Sequence, residues 1–202
     1  MLTLCIQAGG QSSRMGSDKA LLDFDGQTLV EHLLARLDGV AVETIITTNH
    51  PERYNFLKLP LVPDVVPGRG ALGGIYTALQ AATQPLVAVV ACDMPFASPA
   101  ILRTCRDILA DDPNLDVVIP STEYGLEPLH AVYRRATCLP AVKAAIDSDQ
   151  WKVISWHGDV NVRVLLPAEI AQLDPDGSAF VNVNTPQELK AAIRRARQST
   201  DG

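Results

Sequence analysis

Short apolar runs alternate along this chain with segments whose apolar residues recur at helical spacing, and this alternation constrains the fold more than any other feature. The runs are Leu2 to Ile6, Thr44 to Thr47, Leu86 to Ala91, Val117 to Ile119, Ala131 to Tyr133, Val162 to Leu166 and Phe180 to Val183. Several are apolar at every position rather than at every second one, as in strands covered on both faces. Strands alternating with helices then specify an α/β domain, a three-layer αβα Rossmann-like arrangement around a mostly parallel central sheet. The helix starts are well marked. Thr28 and Glu31 have capping-box spacing ahead of Leu29, Val30, Leu33, Leu34 and Leu37. Ser98-Pro99 pairs an N-cap with proline at the first helical position. Thr185-Pro186-Gln187-Glu188 combines both devices, and the last helix should run from Leu189 to about Arg197. With 202 residues, 47% of them hydrophobic, and no repeat or low-complexity tract, the chain reads as one domain over 1–202.

Charge and composition exclude several function classes. A formal net charge of -6 is the wrong sign for a nucleic-acid surface, so any polyanion must be met by local cations. No window approaches the roughly 18–20 apolar residues of a membrane span, and no basic segment of signal-peptide type opens the chain. A cytoplasmic protein with neither nucleic acid nor membrane as partner is expected. Cys5, Cys92, Cys105 and Cys138 form no C-x-x-C pair, and two of them sit in apolar strand-like runs, so reduced structural thiols are expected. His32, His50, His130 and His157 share no spacing and receive no catalytic role. Trp151 and Trp156 read as packing residues.

The first strand is followed by AGGQSSRMGSDKALL, residues 8 to 22. Glycines after a strand let successive backbone N–H groups turn toward an anion. A Walker loop requires G-x-x-x-x-G-K-[ST], but five residues separate Gly10 from Gly16 and Lys19 comes three after Gly16. The G-x-G-x-x-G dinucleotide fingerprint is also missing. What remains is a longer loop with two cations. Arg14 offers a bidentate fork and Lys19 a mobile point charge, a pairing suited to a triphosphate. Taken alone, the loop fits equally well as a solvated surface turn.

Asp93 directly follows the run LVAVVA, at the carboxyl end of a buried strand, where open α/β sheets bind ligands. A carboxylate there, with Met94-Pro95 turning the chain out of the sheet, suits Mg²⁺ that also touches nucleotide phosphates, or simply ends the strand. In VNVN, Asn182 and Asn184 fall on alternate positions of the last expected strand, so both amides would share one face and could read a polar heterocycle. The alternative is that Asn184 helps end that strand.

AGGQSSRMGSDKALL resembles the A-G-G-x-S-x-R-M-G-x-D-K-x-L-L signature of the molybdenum cofactor guanylyltransferases. The resemblance continues in order through LVPDVVPGRGALGGIYTAL at 61–79, VVACDMPF at 89–96, EPLHAVY at 127–133 and FVNVNTPQEL at 180–189. It covers nearly the whole chain. One departure is Gln7, where the family usually has leucine; because neighbouring backbone would face the nucleotide, binding is expected to survive. The resemblance implies transfer of GMP from Mg·GTP to molybdenum-molybdopterin with release of pyrophosphate. The nucleotide half would be N-terminal and the pterin side C-terminal, with a recipient molybdoenzyme or cofactor-delivery protein downstream. By the same resemblance Gln7, Ala8, Gly9, Gly10, Lys19, Asn49, Asp64, Gly73 and Asp93 contact the nucleotide, and Asp93 binds Mg²⁺. Arg14, Lys19 and Asp93 carry catalysis, and Asn182 and Asn184 meet the pterin. Thr47 aligns as well as Asn49 with the family's nucleotide-contacting asparagine. Three other readings stay open: a cytidylyltransferase, a sugar- or polyol-phosphate nucleotidyltransferase, and a nucleotide-binding module without chemistry. Related cytidylyltransferases read A-A-G where this chain has Ala8-Gly9-Gly10, which favours guanine.

Overall fold

The structure is a computed structural model that describes residues 1–8 and 18–200. Gly9, Gly10 and Arg14 therefore lie outside the described residues. In chain order the elements are β1 (Leu2–Gln7), β2 (Asp23–Phe24), β3 (Gln27–Thr28), α1 (Leu29–Arg36), β4 (Glu43–Thr47), β5 (Leu61–Val62), α2 (Gly70–Ala81) and β6 (Leu86–Ala91). Then follow α3 (Pro99–Asp111), β7 (Val117–Thr122), β8 (Gly125–Leu126), β9 (His130–Arg134), α4 (Arg135–Asp147), β10 (Val162–Leu165), α5 (Pro167–Leu173) and α6 (Pro186–Thr200).

The main sheet has the order β10-β7-β9-β6-β1-β4-β5, with β8 paired to β7, while β2 and β3 form a separate hairpin. β1 runs parallel to β4 and β6, and β9 is antiparallel to both its neighbours. Alternate residues of each buried strand feed two cores. Leu2, Leu4, Ile6, Ala88 and Val90 pack with α1, α3 and α5, whereas Cys5, Ile45, Val87 and Val89 pack with α2 and α4. Burial on both faces is the physical reason the runs are continuously apolar, and it makes the three layers that the alternation predicts. The right-handed crossovers of parallel β-α-β units place helices on both faces of such a sheet.

The cap signals hold in detail. Thr28 and Glu31 form a reciprocal capping box, Ser98 Oγ accepts from Ile101 N, and at the start of α6 Thr185 N donates to Glu188 Oε2 while Glu188 N donates to Thr185 Oγ1. The expected strand at Phe180 to Val183 does not form. Val183 N donates instead to Asp93 O at 2.8 Å, so a single hydrogen bond pins this segment to the end of β6, and no ladder continues from it. Val183 is buried with Phe24, Leu29, Phe96 and Ala192, which docks α6 over the β2–β3 hairpin. Trp156 is buried as expected, but Trp151 is 63% exposed and lies against the Arg69 guanidinium, 4.7 Å from its ring centre. No described helix is long and apolar enough to cross a membrane.

Candidate active site

Because β4, β1 and β6 are parallel neighbours, their carboxyl ends open on the same edge. Gln7 lies in register with Thr47 on one side and Ala91 on the other. Two bonds carry the pairing one step past the strands: Ala8 N donates to Thr47 O at 2.9 Å, and Cys92 N to Gln7 O at 3.1 Å. Asp93 is the next residue. Its loop is held from α1, where His32 Nε2 donates to Pro95 O at 3.0 Å and Arg36 Nε to Ala97 O at 2.9 Å.

Lys19 closes the group. Its ammonium donates to Asp93 Oδ2 at 3.2 Å and to Asn184 Oδ1 at 2.6 Å. Three residues distant in sequence thus meet at one nitrogen, from the turn after the glycine-rich loop, the end of β6 and the segment before α6. Lys19 and Asp93 are 18% and 23% exposed, so the pair is partly shielded but open to an incoming ligand. No group of three or more His, Cys, Asp or Glu that could hold a metal exists among the described residues. Two oxygens from separate segments nevertheless already converge on one cationic atom, and Mg²⁺ commonly takes only one or two protein carboxylates. The donor set therefore fits that ion.

The sequence reading missed the residue that ties the ends of the loop. Tyr54 is fully buried, and its hydroxyl lies 2.6 Å from Asp18 Oδ2, to which it donates, and 3.1 Å from Ala8 O. Ala8 and Asp18 flank residues 9–17, so one hydroxyl stands between the two ends, its single proton shared between two acceptors. Asp18 Oδ1 also accepts from Ala20 N at 3.3 Å, which sets the turn that carries Lys19. Tyr54→Phe removes only the hydroxyl and leaves a buried acceptor short of its donor, at a cost of about 1–3 kcal/mol. The expected result is a thermal midpoint lower by a few degrees and a roughly three- to tenfold weaker hold on the triphosphate that the resemblance implies, because ligand binding must then supply the lost ordering. Calorimetric titration and a melting curve check both; an unchanged affinity would show that the hydroxyl does not preorganise the binding edge.

Asn49 and Asp64 form a reciprocal pair: Asn49 Nδ2 donates to Asp64 Oδ2 at 2.8 Å, and Asp64 N donates to Asn49 Oδ1 at 2.9 Å. Asn49 is exposed and Asp64 half-buried at the edge beyond β4 and β5. Thr47, the competing alignment, is buried with its hydroxyl beside the Cys5 thiol. At Gly73 an added Cβ would meet Arg69 Cβ at 2.8 Å and Val66 O at 3.1 Å. At Gly74 it would meet the Gln7 amide at 2.7–2.8 Å. Both glycines thus have a packing reason within the protein. Gln7 Nε2 is buried and meets no hydrogen-bond partner among the described residues. Burial pushes the Cys5 thiol up to about 12 and raises Cys92, Cys105 and Cys138 as well, and all four are free.

The family model described as MobA-like NTP transferase domain matches residues 4–161. The chain belongs to this family. The MobA-like relatives span its length. The "Probable molybdenum cofactor guanylyltransferase" of Pelotomaculum thermopropionicum is 36% identical over 98% of this chain and 94% of that protein. The molybdenum cofactor guanylyltransferase of Desulfosudis oleivorans is 32% identical over 98% of both. The crystal structure of molybdopterin-guanine dinucleotide biosynthesis protein A from Archaeoglobus fulgidus has the same fold, with a TM-score of 0.82 and 24% identity over 97% of this chain and 99% of that one. As a MobA-like nucleotidyltransferase domain, the chain places its Asp93, Lys19, Asn49 and Asp64 along one carboxyl edge. The two asparagines of VNVN separate, however: Asn184 turns to Lys19, while Asn182 lines a neighbouring cavity. The expectation that they share a face depended on a strand that does not form.

Proposed function

We propose that the protein transfers GMP from GTP to the terminal phosphate of molybdenum-loaded molybdopterin. A phosphate oxygen of the acceptor attacks the α-phosphorus of GTP, a new P–O–P bond forms, the bond from the α-phosphorus to the β-phosphate oxygen breaks, and pyrophosphate leaves with its electron pair. The observation that supports this most is the meeting of Lys19, Asp93 and Asn184 at one point of the carboxyl edge, in a chain whose relatives carry that activity in their names. The attacking phosphate is already anionic near neutral pH, so no strong base is required. That agrees with a site whose described residues place no histidine on the reacting group.

The work left for the protein is positioning and charge neutralisation. Lys19 would turn from Asp93 toward the phosphates and stabilise the departing pyrophosphate, with Arg14, Gly9 and Gly10 of the preceding loop as further phosphate contacts. Asn49 and Asp64 present donors and acceptors to the nucleoside, alongside Ala8 and Gln7. Gly73 stands behind them at the start of α2. Asp93, with Asn184, would hold Mg²⁺, which when bound supplies Lewis-acid polarisation of the phosphoryl oxygens. Incubating the protein with Mg²⁺, molybdenum-loaded molybdopterin and each nucleoside triphosphate in turn should release pyrophosphate fastest with GTP. Turnover with CTP but not GTP would replace guanylyl by cytidylyl transfer, and GTP binding without any pyrophosphate would leave only a binding module.

A further inference from the structure

Beside the transfer site lies a cavity of about 580 Å³, walled by the β7–β8 hairpin, α5 and the segment before α6. Among the described residues its lining carries three carboxylates, Glu123, Glu127 and Asp174, and no Lys, Arg or His. That sign of charge disfavours a triphosphate there. Ile170 and Phe180 supply apolar wall, and Tyr124 at the hairpin, 89% exposed, can lie over a flat ring. The occupant it suits is a planar heterocycle whose edge is rich in N–H donors.

Glu127 is the carboxylate built to meet such an edge. Its backbone is fixed on both sides, N–H to Pro120 O at 2.9 Å and C=O from His130 N at 3.0 Å. One side-chain oxygen, Oε1, accepts from Thr122 Oγ1 at 3.1 Å, while Oε2 meets no donor among the described residues. Burial raises the carboxyl above its usual range despite that bond. Asp174, by contrast, already accepts from Ala179 N at 2.8 Å. The cavity also adjoins the phosphate cluster: Asn182 lines it, and two residues on, a span of at most about 7 Å, Asn184 touches Lys19.

We propose that this cavity receives the pterin ring of the acceptor, and that the Glu127 carboxylate accepts hydrogen bonds from its N3–H and 2-amino groups. The assignment rests on the acceptor proposed above. The two ring donors are adjacent and match the two oxygens of a carboxylate, and the acceptor's phosphate is then directed along residues 182–184 toward Lys19 and Asp93. Glu127 is a specificity determinant in this arrangement. It reads the pyrimidine edge and leaves the reacting phosphate to other groups.

Free pterin and lumazine, which has a 2-oxo group in place of the 2-amino group, test this by fluorescence titration of the full chain. The wild type is expected to bind pterin at least about tenfold more tightly than lumazine, since a site built for a donor rejects the analogue lacking it. In Glu127→Gln that preference should disappear, with the KM for molybdenum-loaded molybdopterin raised about ten- to a hundredfold and the affinity for GTP unchanged. Equal binding of the two rings by wild type, no binding of pterin, or an unaltered acceptor KM in the variant each overturns the proposal. Failure of the guanylyl reading shows separately, as absence of pyrophosphate release from wild type.

Discussion

Asp93→Ala is expected to lose pyrophosphate release by roughly 10³-fold or more while its thermal midpoint stays within a few degrees of wild type. The asymmetry follows from where the residue's bonds lie. Its structural role is carried by the backbone: Val183 N binds Asp93 O, and His32 and Arg36 hold the carbonyls of Pro95 and Ala97. None of these is touched by removing a carboxylate. The side chain, 23% exposed, bonds only Lys19 among the described residues, and a partly solvated pair of that kind contributes about 1 kcal/mol or less to stability. What the carboxylate does supply is a fixed negative charge at the point where nucleotide and Mg²⁺ would meet. Asp93→Asn keeps the shape and an oxygen but not the charge, so it should be nearly as inactive as the alanine variant. Activity near wild type in either variant, measured with GTP and molybdenum-loaded molybdopterin, removes Asp93 from the reaction.

Much of this arrangement was legible because local signals and tertiary packing agree. A continuously apolar LVAVVA can only be a buried strand here, and a carboxylate after it can only sit at the sheet's edge. Capping chemistry likewise placed the starts of α1 and α3 to the residue, whereas α6 begins at Pro186, directly after the Thr185 cap and three residues ahead of the expected Leu189, and runs to Thr200 rather than to about Arg197. The segment FVNVN misled because alternation of apolar and polar residues is also what an extended segment shows when one of its residues is pinned. Val183 is buried and bonded to Asp93 O, its neighbours are not, and periodicity alone cannot distinguish that from a strand in a ladder. Tyr54 was out of reach for a different reason. A lone tyrosine 36 positions from Asp18 has no spacing to betray it, and only the fold brings its hydroxyl to both ends of the loop. Glu127 was visible only as part of a motif until the cavity around it was.

The same point where Asp93 is needed also makes Lys19 testable in two independent ways. Lys19→Met should lower kcat by about 10²–10³-fold, with a smaller change in KM, because a positive charge aimed at the leaving pyrophosphate matters most when that charge develops. The second consequence concerns metal binding. The Lys19 ammonium sits 2.6 Å from Asn184 Oδ1 and 3.2 Å from Asp93 Oδ2, occupying the space between the two oxygens proposed for the metal. A divalent cation must displace it or bind beside it, and two positive charges at that distance repel. Removing the ammonium should therefore strengthen the binding of Mn²⁺, used as a paramagnetic probe for Mg²⁺, to the nucleotide-free variant relative to wild type, even as catalysis falls. A merely structural lysine would move neither quantity in that pattern. If instead Mn²⁺ affinity falls together with kcat, Lys19 supports the metal site, and the competition between ammonium and metal is wrong.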